Sequence, residues 1–526
     1  MKSPLCLAAV LAASALATAL CAQTGGHPIP RLVHKDGRYA LMVDEAPYLM
    51  LGAQVGNSSA WPGVLHKVWP AIEYLHANTV EMPVYWEQFE PQPGKYDYSV
   101  VDTLLAQARQ HRVHLVLLWF GLYKNGSQHY TPEWMKLDAD KFPHMMDRDG
   151  RPVDSPSPYA KASLEADIQA FTAFLRHLKE ADGERTVLLV QVENEAGTWQ
   201  MQRDYSAVAE KLYRAPVPAE VLAAMHVPAS AAAPNWKEAF GAESEVCFHA
   251  WSVATYVGKV AAAGKAVYPL PLYANAALRD PIQPGPPGTY ESGGPTDNVL
   301  PIWKAAAPAL DILAPDIYMD DSQPYLKVLD LYRRDDNALF VPETGRGAGV
   351  ARFLFSALGR GAIGFSPFGM DYAEGATEEQ FAPFAQNYKL LGPMARLIAR
   401  LNFEGKLQAV AEEKGQVTQI LDFGGWKAEV SYGAVRMSPP HGNGSLNGRA
   451  LVAQLGDHQF LVAGMYSRVD FHPSTAGLQR QFLRVEEGTY ENGVFKMTRI
   501  WNGDETDWGL NFRAEPVVLR VSLATF

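Results

Sequence analysis

Eight short apolar runs, rich in β-branched and aromatic residues and each followed by a longer stretch of helical periodicity, occupy residues 48 to 400. The runs are YLMLGAQ (48 to 54), TVEMPVYW (79 to 86), HLVLLWF (114 to 120), VLLVQVE (187 to 193), LPLYANA (270 to 276), DILAPDIY (311 to 318), ALFVPE (338 to 343) and AIGFSPF (362 to 368). Helical patterns cover 64 to 77, 98 to 112, 161 to 181, 248 to 264, 299 to 309, 322 to 335, 349 to 358 and 379 to 400. This alternation predicts an α/β fold, a closed (β/α)8 barrel of parallel strands rather than an open doubly wound sheet. No Gly-rich dinucleotide fingerprint follows the first run, which removes the main open-sheet competitor.

The barrel is expected over 29 to 402, roughly 370 residues against a usual ~250, so long loops must follow some strands. The candidates are 121 to 160, 199 to 247 and the Pro/Gly-rich 277 to 298. Over 403 to 526 the pattern changes to period-two alternation between Gly and Asn turns, as in VTQILDF and PVVLRVSLATF. An antiparallel β-sandwich domain is predicted there. A chain that is 48% hydrophobic can fill both cores, and a net charge of -11 argues against a nucleic-acid partner. The beginning, MKSPLCLAAVLAASALATALCAQ, has one lysine, an apolar run and small residues, and reads as a signal peptide over 1 to 22. Its removal would leave Cys247 as the one cysteine, with no disulfide and no membrane anchor. A secreted, periplasmic protein is expected.

The fourth run ends in carboxylates, QVENEAG (191 to 197), and the seventh ends in Glu343, where Pro342 limits the strand and Gly345 opens a loop. In a barrel of this kind the strand C-termini carry the chemistry. Alternation places Gln191, Glu193 and Glu195 on the barrel-facing side, with Val190 and Val192 toward the helices. Asn194 has the wrong parity and reaches the same side only if the strand end is bulged or already turning. Strands four and seven are expected to face each other across the barrel, so Glu195 and Glu343 would meet over one cleft. Two such carboxylates suffice to cleave a glycosidic bond: about 5 to 5.5 Å apart they give retention, about 6.5 to 9.5 Å apart inversion. One must hold a proton for the leaving oxygen while the other stays ionised.

At these residues the sequence resembles the retaining glycosidases of clan A. QVENEAG (191 to 197) and NTVEMPVYWEQFEPQPGKYDYS (78 to 99) resemble segments of glycoside hydrolase family 35, the β-galactosidases. The resemblance implies Glu195 as acid/base, Asn194 as the partner of the sugar 2-hydroxyl, Glu343 as nucleophile and Tyr318 as the tyrosine that keeps the nucleophile ionised. Ala196, Pro83 and the GAQVGNSS segment (52 to 59) depart from the family and mark a divergent bacterial branch.

Aromatic rings at strand ends can stack on sugar C–H faces, which makes Trp86, Trp119, Trp199 and Phe368 candidates. Glu87, Gln54 and Asn57 are candidates for sugar hydroxyls. Packing under loops is the competing role for each tryptophan, and core packing is the better expectation for Trp426, Trp501 and Trp508. The 14 histidines form no ligand set and no HExxH or CxxC occurs, so neither a metal nor another cofactor is expected. No Gly-x-Ser-x-Gly elbow follows a strand. The expected activity is a retaining exo-β-galactosidase on an oligosaccharide such as a xyloglucan fragment. The alternatives are another clan A β-glycosidase, endo-acting or specific for a different sugar, and a non-catalytic glycan-binding protein.

Overall fold

The computed structural model describes residues 26–199, 201–228, 233–434 and 438–526. The leader read over 1 to 22, with Cys6 and Cys21, lies outside the described residues. Cys247 is free and buried. Among the described residues no helix is long and apolar enough to cross a membrane.

Eight parallel strands close into a barrel in chain order: β1 Met50–Gln54, β2 Thr79–Tyr85, β3 His114–Lys124, β4 Val187–Asn194, β5 Leu272–Ala277, β6 Ile312–Ile317, β7 Val341–Thr344 and β8 Gly364–Pro367. Helices cover the outer face, so the strands are buried on both sides and read as near-continuous apolar runs; every residue of β4 is buried. The helix Lys161–Ala181 falls where its periodicity predicts, and buries Ala170, Phe171, Phe174, Leu175 and Leu178 at helical spacing.

Three local differences have physical causes. The pattern read as one helix over 379 to 400 is two, Glu378–Leu391 and Ala395–Phe403, separated by a short 3-10 turn at Gly392–Met394 where Pro393 lacks an N–H to donate. Strand β3 runs on to Lys124, past the predicted end at 120. A three-stranded antiparallel sheet, Arg31–Lys35, Arg38–Val43 and Ala46–Tyr48, precedes the barrel. Its two turns place Asp36, Gly37, Asp44 and Glu45 at positive φ, and Arg396 fastens it by donating to the carbonyls of Val43 and Ala46.

The C-terminal region forms two antiparallel sheets of six and four strands. Trp426, Val430, Phe460, Val462, Phe471, Trp501 and Leu519 fill the space between them. The outer face of the six-stranded sheet is buried too: Leu407, Leu451, Ala453, Leu461, Ala463 and Val518 join the barrel core. Alternate residues of one strand therefore serve two cores, Phe460 and Val462 inside the sandwich and Leu461 and Ala463 against the barrel. At this junction the helix Phe353–Gly359 meets the strand Leu407–Ala411 so closely that a Cβ on Gly359 would lie 2.0 Å from the Ala409 carbonyl oxygen.

Candidate active site

The end of β4 is built to turn. Opposite it, the β3 pairing shifts register between Trp119 and Lys124, and both Glu193 and Glu195 adopt positive φ, 63° and 44°. Non-glycine residues rarely hold this backbone region, and they do so mostly where the surroundings enforce it. The condition under which Asn194 reaches the barrel side is thus met. The same turn overturns the expectation for Glu193, which leaves the barrel side for the helix layer. There its carboxylate accepts from the Tyr123 amide at 2.6 Å and lies against Asp167 of the helix Lys161–Ala181. Burial, and then the mutual repulsion of the two acids, raises the Glu193 carboxyl far above the usual range.

Glu195 and Glu343 converge. One oxygen from each of Glu195, Asp316 and Glu343 lies within 4.8 Å of the others, and all three residues are buried. The strands that carry the two glutamates are not diametrically opposed, because β5 and β6 alone separate β4 from β7. That gap is filled by polar residues of the intervening strands. Asn275 on β5 accepts from the Glu195 amide at 3.0 Å and donates to Asp316 at 2.6 Å. Asp316 on β6 stands in register with Glu343 on β7.

The two glutamates have unequal surroundings. Glu343 accepts from the Tyr318 hydroxyl at 2.5 Å and from Gln54 Nε2 at 2.9 Å. Tyr318 is 54% exposed overall, yet its hydroxyl is tucked against Glu343. Burial, and after it the charge of Glu343, pushes the Glu195 carboxyl up to about 7, with Lys124 and Asp316 acting in the opposite direction. Asp316 is raised well above the usual range by burial and by both glutamates. Asn194 is fully buried with both ends of its amide free of protein partners. Buried amides are rarely left so, and a ligand with hydroxyl groups can satisfy it.

The aromatic expectations divide. Trp86 and Trp119 do not line the hollow: both are fully buried in the layer between barrel and helices. Trp119 donates to Asp167 at 3.0 Å and stacks on Phe174, while Trp86 donates to Glu90 at 2.8 Å and packs on Trp119 and Trp134. Glu87 is drawn away as well, into an ion pair with Lys136 at 3.3 Å. Trp199 stands 44% exposed beyond the β4 turn, and Phe368 is partly buried after β8. Trp426 and Trp501 pack in the sandwich core, whereas Trp508 is 42% exposed.

Several site residues escaped the sequence reading. Asp316 and Asn275 sit inside apolar runs, and the signal for each was one polar residue in a strand otherwise fit for burial. Glu81 on β2 lies in the barrel interior, accepts from the Tyr273 hydroxyl at 3.1 Å, and is pushed up by burial to about 8. Trp61, 38% exposed, stacks on Tyr85 beside the first loop. Glu291, in the loop after β5, is buried beside Glu195 and Lys124 with neither carboxylate oxygen hydrogen-bonded.

Residues 64–243 match the family model described as Beta-galactosidase, that of glycoside hydrolase family 42, and residues 384–513 match a domain of unknown function, DUF5597. The barrel is a glycoside hydrolase domain of β-galactosidase type, and family 42 fits it better than the family 35 that QVENEAG resembles. No curated protein matches. Similar solved structures include the β-galactosidase from Bacillus circulans sp. alkalophilus, 14% identical with a TM-score of 0.49, over 66% of this chain and 57% of that one. The β-galactosidase from the haloarchaeon Halorubrum lacusprofundi is 15% identical with a TM-score of 0.49, over 65% and 58%. The catalytic domain of β-amylase from Paenibacillus polymyxa is 13% identical with a TM-score of 0.48, over 64% and 96%. This chain spans less than two thirds of the length of those β-galactosidases.

Proposed function

We propose that the chain is an exported retaining exo-β-galactosidase that acts on oligosaccharides, with Glu343 as nucleophile and Glu195 as acid/base. The observation that carries the reading is the approach of Glu195 and Glu343 to within 4.8 Å, oxygen to oxygen. So close an approach favours direct attack over the wider spacing of an inverting pair. In the first step a Glu343 oxygen bonds to the anomeric carbon as the glycosidic bond breaks, and Glu195 delivers its proton to the departing oxygen. In the second, Glu195 takes a proton from water, whose oxygen displaces Glu343 from the sugar.

The surroundings favour this division of roles. Two donors on Glu343 stabilise a carboxylate, and a Glu195 carboxyl raised to about 7 retains its proton near neutral pH. Asn194 offers its free amide to the 2-hydroxyl. Export rests on the leader read over 1 to 22, and a plant-type oligosaccharide such as a xyloglucan fragment is the proposed natural substrate. A non-catalytic glycan binder is the reading from another class; it gives no reason for the unequal environments of the two acids.

The test is turnover of aryl β-glycosides of galactose, glucose, arabinose and fucose by the wild type and by Glu343→Gln and Glu195→Gln. Galactoside cleavage should lead, and Glu343→Gln should lose at least about a thousandfold in kcat. Wild-type turnover in Glu343→Gln would overturn its role. Glu195→Gln should be partly spared on a 2,4-dinitrophenyl leaving group, which needs no proton.

A further inference from the structure

The loop after β5 holds a carboxylate that the two catalytic steps do not use. Glu291 is 1% exposed, and neither of its oxygens has a hydrogen-bond partner in the protein. Burying such a group unpaired is costly, so a site that keeps one is built for a partner that arrives from outside. Its place is prepared by two glycines. A Cβ on Gly126 would fall 2.6 Å from Glu291 Oε1, and one on Gly197 would fall 3.0 Å from its Cγ. The backbone is fixed too, because Thr198 and Ser292 exchange both amide hydrogen bonds, at 2.8 and 2.9 Å.

Position relative to the glutamates identifies the partner. The Gly126 amide donates to the Glu195 carbonyl at 2.9 Å, so Glu291 lies one residue's width beyond the acid/base. The charged groups acting on it are Glu195 and Lys124. An acid/base touches the oxygen of the leaving group, and Glu343 is not among the charges named as acting on Glu291, which sets Glu291 on the acid/base side of the site. Trp199 is in van der Waals reach of the same Gly126 position and is 44% exposed. Close by in the chain, Met201 and Gln202 line a cavity of about 340 Å³ together with Asp147, Arg148, Asp149 and Tyr205. The Gln202 carbonyl accepts from Ser292 Oγ at 2.7 Å, which ties that cavity to the Glu291 loop.

We propose that Glu291 and Trp199 form a subsite for a leaving sugar, the carboxyl of Glu291 bonding its hydroxyls and the indole of Trp199 stacking on its C–H face. The substrate class is therefore an oligosaccharide whose leaving group is itself a sugar, with room for a further unit in the cavity tied to the Glu291 loop. The inference rests on the reading of Glu195 as acid/base.

The experiment compares two substrates on wild type, Glu291→Met, Glu291→Gln and Trp199→Ala. One is 2-nitrophenyl β-galactoside, which has no leaving sugar; the other is whichever of the β1,2-, β1,3-, β1,4- and β1,6-linked galactosyl disaccharides the wild type cleaves fastest. Glu291→Met should lower kcat/KM on the disaccharide at least tenfold, mainly through KM, and change the aryl galactoside by less than threefold. The alkaline limb of the pH profile should stay in place, and Tm should hold or rise, because an unpaired buried carboxyl has been replaced by a side chain of similar size. Glu291→Gln, which keeps one acceptor, should fall between wild type and Glu291→Met, and Trp199→Ala should show the same disaccharide-selective loss. Equal losses on both substrates, a moved alkaline limb, a fall in Tm with Glu291→Met, or an unchanged disaccharide KM would each overturn the subsite. A wild type inactive on aryl galactosides would instead overturn the galactosidase reading; the same comparison would then be run on the aryl glycoside that is cleaved and its matching disaccharide.

Discussion

Glu195 and Glu81 illustrate how one physical cause, burial, has different consequences according to what surrounds a carboxyl. In its proposed role as acid, Glu195, held up to about 7, must keep its proton, so kcat/KM on a disaccharide should fall as pH rises through about 7. A pH–rate profile on non-activated substrates checks this, and an alkaline limb beginning near pH 5 would contradict it. Glu81, raised to about 8 in the barrel interior near Glu343, Tyr273 and Ser366, makes a prediction about stability instead. Its pKa is higher folded than unfolded, so the stability it confers is complete below about 4.5 and is lost as pH climbs through about 8. Glu81→Gln removes that loss. The Tm of the variant relative to wild type should rise between pH 5 and pH 9, by an amount worth a few kcal/mol. Legibility at this scale follows the backbone. The convergence of Glu195 and Glu343 was readable because both end barrel strands, but the side on which Glu193 falls depends on a positive φ that alternation does not encode. Trp86 and Trp119 failed for a related reason: a large ring at a strand end suits either the mouth or the helix layer, and here Asp167 and Glu90 offer the indoles their acceptors inside.

Among elements, the eight strands and most helices follow from apolar periodicity, which registers burial directly. The N-terminal sheet was missed although KDGR (35 to 38) carries an Asp-Gly hairpin signal, because its strands are short and only half-buried. Close approach between elements is invisible to periodicity altogether. The helix Phe353–Gly359 reaches the strand Leu407–Ala411 only because position 359 lacks a side chain. Gly359→Ala should therefore force helix and strand apart and lower stability by about 1 to 3 kcal/mol, seen as a reduced Tm with activity retained at low temperature. A Tm equal to wild type would mean that this contact adjusts freely.

For the molecule as a whole, barrel and sandwich share one core through the six-stranded sheet. Calorimetry should show a single cooperative transition rather than two, and a fragment of residues 403–526 should be insoluble, since Leu407, Leu451, Leu461 and Val518 would face water. Two separated transitions would show that the shared apolar layer adds little. The sheet order carries one more implication. The strand Val517–Thr525 lies between Gln459–Met465 and Arg480–Glu491, so a segment from far along the sequence occupies an inner position. A nascent chain emerging from the ribosome must carry a barrel with one uncovered flank until that segment arrives. Refolding from denaturant should accordingly be slow, with yields that decline at higher protein concentration and recover when a chaperone shields the waiting surface.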